Sequence, residues 1–243
     1  PAPVRRRILG VRVDDASWEE CLALARCYVS SGRAHTVATP NPEIVMRARR
    51  SETLAAAIEA ADLAPADGVG LLWAGRMLGQ PIREVVPGSD LVVRLARQAR
   101  SGERWFLLGG AEGVADEAGR ALAGHSAGLL VAGTYGGSPG PVDDAEACRR
   151  IEAAGPVDVL LVAYGAPGQE LWLARNQPRL GVPLAVGVGG TFNFLAGRSP
   201  LPPGWVRRAR LIWMFRLVTE PWRWRRQLVL LEFVGRVLAE AAR

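Results

Sequence analysis

Residues 104–113 read Arg104-Trp105-Phe106-Leu107-Leu108-Gly109-Gly110-Ala111-Glu112-Gly113. A short apolar run enters a glycine turn, and a helical pattern follows. The same order returns at Val157–Val162, which leads into Tyr164-Gly165-Ala166-Pro167-Gly168-Gln169-Glu170. It returns again at Leu184–Val188, which meets Gly189-Gly190-Thr191-Phe192. Strands that are apolar without alternation are buried on both faces, and their alternation with helices makes a parallel sheet. Outward from these three, the pattern predicts strands at Ile8–Val13, Thr36–Ala38 and Leu129–Ala132, with a short edge over Asp62–Gly68. Helices are expected from Asp14/Asp15 to about Ser30 and from the Asn41 turn to about Ala61. Others are expected over Val69–Leu78, after Gly88 (with Ser89 or Asp90 as cap) to Arg100, and over Asp143–Ala153. The fold class is α/β, a mostly parallel sheet with helices on both faces.

Ligands of such sheets bind at the carboxyl ends of the strands, so the loops there hold the candidate site. Gly109 and Gly110 open a turn whose backbone N–H groups can hold a phosphate at a helix N-terminus. They fit a plain tight turn at least as well. Gly189, in Gly187-Val188-Gly189-Gly190, has the same two readings. Asp67, in Pro65-Ala66-Asp67-Gly68, can take a proton from a hydroxyl, or simply close a turn. Thr39 and Asn41 lie in the stiff Thr39-Pro40-Asn41-Pro42-Glu43 loop, which can orient a sugar hydroxyl. Alternatively, Asn41 caps a helix that has Pro42 in its first turn.

Charge is uneven along the 243 residues. Lysine is absent, and all 30 basic residues are arginine. From Arg198 onward, ten arginines face three acids, a balance of +7 against +6 for the whole chain. Trp205, Trp213, Trp222 and Trp224 lie among those arginines. The stretch Arg198-Ser199-Pro200-Leu201-Pro202-Pro203-Gly204 reads as a linker. The organisation expected is thus a catalytic unit over 1–197 and a helical, basic appendage over 198–243. Leu228, Leu231, Val234 and Leu238 form an apolar stripe on its last helix. Arginine beside tryptophan suits a helix lying on an anionic bilayer. Deleting 201–243 should therefore reduce membrane binding and raise solubility.

Three cysteines without a CxxC pair argue for a reducing compartment, and two distant histidines argue against a metal site. The start of the sequence lacks a secretory pattern, and no run approaches ~20 apolar residues. Asp14-Asp15 and Asp143-Asp144 have the wrong spacing for a metal-bound diphosphate, so its charge would fall to arginines and backbone amides.

Several segments together resemble the WecG/TagA/CpsF glycosyltransferases (glycosyltransferase family 26). They are Thr39-Pro40-Asn41-Pro42-Glu43, Asp67-Gly68-Val69-Gly70, Gly88-Ser89-Asp90-Leu91, Phe106–Gly110, Gly165–Trp172, Gly187–Phe192, Trp213–Leu217 and Glu220-Pro221-Trp222-Arg223. The resemblance implies a Rossmann-like core with a membrane-binding appendage. It implies an inverting, metal-independent transfer of N-acetylmannosamine, its uronic acid or glucose from a UDP-sugar. The acceptor would be a polyprenyl-diphosphate-linked saccharide at the cytoplasmic membrane face. No cofactor and no nucleic-acid partner are expected, and homo-oligomerisation is left open.

By the same resemblance Asp67 is the general base, and Thr39 and Asn41 lie beside the reacting sugar. Gln169 and Glu170 lie near the nucleotide, and Arg216, Arg223 and Arg226 stabilise the leaving diphosphate. The chain departs from the pattern at Val85 (an arginine, although Arg83 is near), Gly168 (a lysine), Asn193 (an aspartate) and Ile212 (a glutamate). The rival readings are an NAD-dependent oxidoreductase, which lacks a full GxGxxG, and a non-catalytic relative that binds polyanions.

Overall fold

The structure is a computed structural model, and it describes residues 3–199, 215 and 224–242. It opens with an antiparallel hairpin, β1 (Val4–Ile8) and β2 (Val11–Asp15), whose turn places Leu9 and Gly10 at positive φ. The expected single strand over Ile8–Val13 is thus two strands. A type I′ two-residue hairpin turn needs positive φ at both central residues. Here one is an apolar leucine, so the sequence carries a weak turn signal.

After helix α1 (Trp18–Ser30) comes a five-stranded parallel sheet. Its strands are β3 (His35–Val37), β4 (Glu103–Gly109), β5 (Leu129–Tyr135), β6 (Val159–Ala163) and β7 (Leu184–Gly187), in the order β3-β7-β6-β4-β5. Between β3 and β4 lie α2 (Pro42–Ala48), α3 (Glu52–Ala60), α4 (Val69–Met77) and α5 (Gly88–Arg97). The later helices are α6 (Val114–Ala123), α7 (Pro141–Ala153), α8 (Gly168–Leu180), α9 (Thr191–Leu195) and α10 (Trp224–Ala241). The one helix expected between Asn41 and Ala61 is divided, because the Ser51 side chain caps α3 at Leu54 N–H. α5 starts after Pro87 with no side-chain cap from its own segment, so neither Ser89 nor Asp90 has the capping role expected of it.

Strand side chains alternate between two cores. Trp105, Leu107, Val159, Leu161, Leu184 and Val186 pack under α1, α5, α6 and α9. Phe106, Leu108, Leu160, Val162 and Ala185 pack under α7 and α8. Burial on both faces is why these strands read as continuous apolar runs. A third cluster joins the hairpin to α2, α3 and α4, and Phe233 and Val237 of α10 are buried in it. The C-terminal helix is therefore built into the body, and truncation at residue 201 would strip core side chains.

The segment 62–67 extends the sheet beyond β3. Leu63 bridges Val37 and Pro65 bridges Asp14, both in parallel. Arg12 fixes this segment from inside. Its guanidinium donates to both Asp14 carboxylate oxygens at 2.9 and 2.8 Å and to the carbonyls of Glu59 and Ala61. Asp14 in turn accepts from Ala64 N–H at 2.8 Å. The result carries Asp67 to the same edge as the carboxyl ends of the strands.

The chain leaves β4 through α6 toward β5, and leaves β6 through α8 toward β7 on the other side. This reversal between β4 and β6 creates the crevice in which open α/β sheets bind ligands.

Candidate active site

At the β3 end of the carboxyl edge, Thr39 is buried, and its hydroxyl donates to Gly187 O at 3.2 Å. Asn41 caps α2, its Oδ1 accepting from Ile44 N–H at 2.9 Å, with Pro42 in the first helical position. Of its two open readings, the cap is thus observed, and the cap leaves the Asn41 amide nitrogen available to a ligand. Asp67 donates its backbone N–H to Pro40 O at 2.8 Å, and its Oδ2 faces Gly88 N–H at 3.4 Å. The N-terminus of α5 is thus met by Asp67 from another loop. A Cβ at Gly88 would lie 3.1 Å from Thr39 Oγ1, so Thr39 and Asp67 converge on the same residue.

Toward the centre of the edge, Gln169 and Glu170 open α8, and both are buried. Gln169 Nε2 donates to Glu170 Oε1 at 2.9 Å, and its Oε1 accepts from Gly189 N–H at 2.8 Å. The Gly189 N–H is therefore engaged by protein. Burial pushes the Glu170 carboxyl up from its ordinary value, and its Oε2 has no hydrogen-bond partner.

Beyond the reversal point the glycine turn divides in role. Gly109, at φ +103°, packs so tightly that a Cβ would meet the Ala163 carbonyl carbon at 2.8 Å. Gly110 and Gly113 instead line a cleft of about 510 Å³ with Thr134 and Tyr135. This volume is in the range of small-molecule sites. Two features of the cleft escaped the sequence reading. The Arg150 guanidinium sits 4.4 Å over the Tyr135 ring, and the Thr134 hydroxyl donates to Asp116 at 2.5 Å. Each is a contact between separate elements and has no local motif.

Arg216 and Arg223 lie outside the described residues, as do Ile212 and most of the expected helix over Trp205–Thr219. Arg226 lies on α10, with its side chain outside the description. Arg83 does not stand in at Val85. It donates to Asp15 Oδ1 and Glu20 Oε2, and Val85 packs against the third core cluster. At Gly168 a Cβ would meet Pro139 Cβ at 2.8 Å, so the β5–α7 loop occupies the path of a side chain there. Among the described residues no cluster of three His, Cys, Asp or Glu could hold a metal ion.

The model of the glycosyl transferase WecG/TagA/CpsF family matches residues 6–243. The chain belongs to this family. It is 32% identical over 217 residues to an N-acetylglucosaminyldiphosphoundecaprenol N-acetyl-beta-D-mannosaminyltransferase of Bacillus spizizenii, covering 88% of this chain and 83% of that one. The protein of the same name in Bacillus subtilis is 26% identical over 219 residues, covering 89% and 84%. That of Staphylococcus aureus is 27% identical over 222 residues, covering 90% and 85%. In open α/β sheets ligands bind at the carboxyl edge. The edge places Thr39, Asn41 and Asp67 at one end and the glycine-walled cleft near the other.

Proposed function

We propose that the protein moves an N-acetylmannosamine-type sugar from a UDP-sugar to a polyprenyl-diphosphate-linked N-acetylglucosamine, with inversion and without a metal. The observation that carries this reading is the convergence of Thr39 and Asp67 on Gly88, beside an edge that ends in the glycine-walled cleft. The names of the relatives supply the sugar and the lipid-linked acceptor.

The order β3-β7-β6-β4 separates the two ends by three strand spacings, about 14 Å at 4.8 Å each. An extended nucleoside diphosphate sugar covers that span. The nucleoside lies in the cleft at Gly110 and Tyr135. The diphosphate crosses the reversal point, near the N-terminus of α6, whose unpaired amides favour anions. The sugar reaches Thr39 and Asn41. Asp67 accepts the proton of the acceptor hydroxyl as that oxygen attacks the anomeric carbon. The C1–O bond to the diphosphate breaks, and UDP leaves with the charge. Arg216, Arg223 and Arg226 stabilise that charge.

α10 presents a second apolar face. Leu228, Leu231, Val234 and Leu238 are exposed, opposite the buried Phe233 and Val237. No helix among the described residues is long and apolar enough to cross a membrane. We read the outer stripe, with the basic appendage, as the contact with an anionic membrane on the cytoplasmic side.

The test is transfer from UDP-N-acetylmannosamine to a short-chain lipid-diphosphate N-acetylglucosamine in EDTA. Release of UDP with formation of the disaccharide is expected. Transfer that needs a divalent ion would overturn the metal-independent step. No turnover, with NAD but not UDP protecting the protein from heat, would overturn the reading altogether.

A further inference from the structure

Gln169 and Glu170 are adjacent, both buried, and joined by one hydrogen bond. The Gln169 side chain lies flat against Gly187, where a Cβ would come within 2.9 Å of its Nε2. From there its oxygen takes the Gly189 N–H at 2.8 Å. Thr39 reaches the same turn from the other side through Gly187 O. The turn after β7 thus lies between the Thr39–Asp67 end of the edge and the reversal point. Within it Val188 donates its N–H to Val162 O at 2.9 Å and accepts from the Thr191 hydroxyl at 2.5 Å, and the Gln169 amide and the Thr39 hydroxyl hold the two glycines on either side.

An amide side chain can present either its oxygen or its NH2 to a neighbour. If the Gln169 amide rotated by half a turn, two donors would face each other at Gly189. Its oxygen would then face the Glu170 oxygen. Both hydrogen bonds would be lost inside the protein, where unsatisfied polar groups are costly. The Gly189 N–H favours the oxygen toward it, and the Glu170 oxygen reinforces the same orientation by accepting from the NH2 group.

We propose that Glu170 is a positioning residue that acts through Gln169, fixing the amide so that the Gly187–Gly190 turn holds its place beside the donor. It does not contact the donor. This rests on the glycosyltransferase reading for its effect on turnover, but the orientation itself can be read without activity. The resemblance places Glu170 near the nucleotide, and the structure gives it a partner one step removed.

The experiment follows hydrogen exchange at the Gly189 amide together with steady-state transfer. Three proteins are compared at full length: wild type, Glu170→Met, and the exchanged pair Gln169→Glu/Glu170→Gln. In the exchanged pair the donor and acceptor trade places. The amide introduced at position 170 can donate to the carboxylate introduced at position 169. That carboxylate can still accept from Gly189 N–H. The expected result is roughly tenfold faster exchange at Gly189 in Glu170→Met, with kcat lowered by a similar factor and acceptor KM little changed. The exchanged pair should recover most of both.

Unchanged Gly189 protection in Glu170→Met overturns the proposal. So does an exchanged pair that restores protection but not turnover, because the Glu170 carboxyl would then act directly. If Glu170→Met fails to fold, the exchanged pair decides alone, with lost Gly189 protection counting against the proposal. A wild type that transfers no sugar refutes the functional reading, while the exchange measurement still decides the orientation.

Discussion

Asp67 is held at two points by different loops: Pro40 O accepts its backbone N–H, and Gly88 N–H faces its carboxylate. A neutral amide can keep the second contact, because Asn Oδ1 also accepts. Asp67→Asn should therefore fold normally and bind UDP, yet lose the base. General-base catalysis contributes on the order of 10²–10⁴-fold, and kcat should fall by about that factor. Full activity in the variant, measured by UDP release, would remove Asp67 from the chemistry. Arg12 makes a different case. It is buried against buried Asp14, and its loss would strand that carboxylate. Arg12→Met should cost about 3–5 kcal/mol in urea unfolding. It should also slow transfer, because the segment it ties down carries Asp67. Neither the bonds of Arg12 to Glu59 O and Ala61 O nor the pairing of Gln169 with Gly189 is visible in the sequence, since these partners lie 20 or more residues away. Residue types at Thr39, Asn41 and Asp67 were legible because their loop positions follow from local chemistry.

At the start of β4, Glu103 is buried. Burial alone would raise its carboxyl. The bidentate Arg26 contact at 2.8 and 3.0 Å and the Trp105 indole N–H at 2.8 Å outweigh burial, so it sits below its ordinary value. A depressed carboxylate stabilises the fold above its unfolded pKa of about 4.3 and loses that contribution as pH falls through the lower folded value. Wild type should therefore lose stability below about pH 4 more steeply than Glu103→Gln, whose curve lacks this component. Parallel slopes in acid unfolding would contradict the assignment. The contact of α8 with the β5–α7 loop makes the second case at this scale. Gly168→Ala drives a methyl into Pro139 and should cost about 1–3 kcal/mol by thermal or urea unfolding. The central strands were legible because burial on both faces writes a continuous apolar run. The hairpin was not, because β1 is Arg-rich and mostly exposed, and its turn has leucine where glycine or asparagine would signal positive φ. The cap of α5 escaped for another reason: its partner, Asp67, is 21 residues away.

At the scale of the whole molecule, α10 carries two apolar faces. Residues 229, 233 and 237 face the body, while 228, 231, 234 and 238 point the other way at 100° per residue. A helix packed on a core needs only one apolar face, and on the proposed reading the outer one meets lipid. Charge beside it suits a lipid surface: Arg50 pairs with Glu232, and Arg49 and Arg236 lie close enough to act on the same carboxylate. Because the inner face belongs to the core, truncation confounds binding with unfolding, and point variants separate the two. Phe233→Ala opens the core and should cost about 3–5 kcal/mol, whatever its effect on lipid. Leu228→Glu/Leu231→Glu/Leu238→Glu alters only exposed positions and should leave unfolding nearly unchanged. Each leucine buried in lipid contributes about 1.5–3 kcal/mol, so sedimentation with anionic vesicles should weaken by roughly 100-fold or more. Transfer to a water-soluble acceptor should persist in that variant, while transfer to a long-chain acceptor in vesicles falls. Vesicle binding unchanged in the triple variant would mean that the outer stripe meets something other than lipid, leaving the arginines of the appendage as the membrane contact.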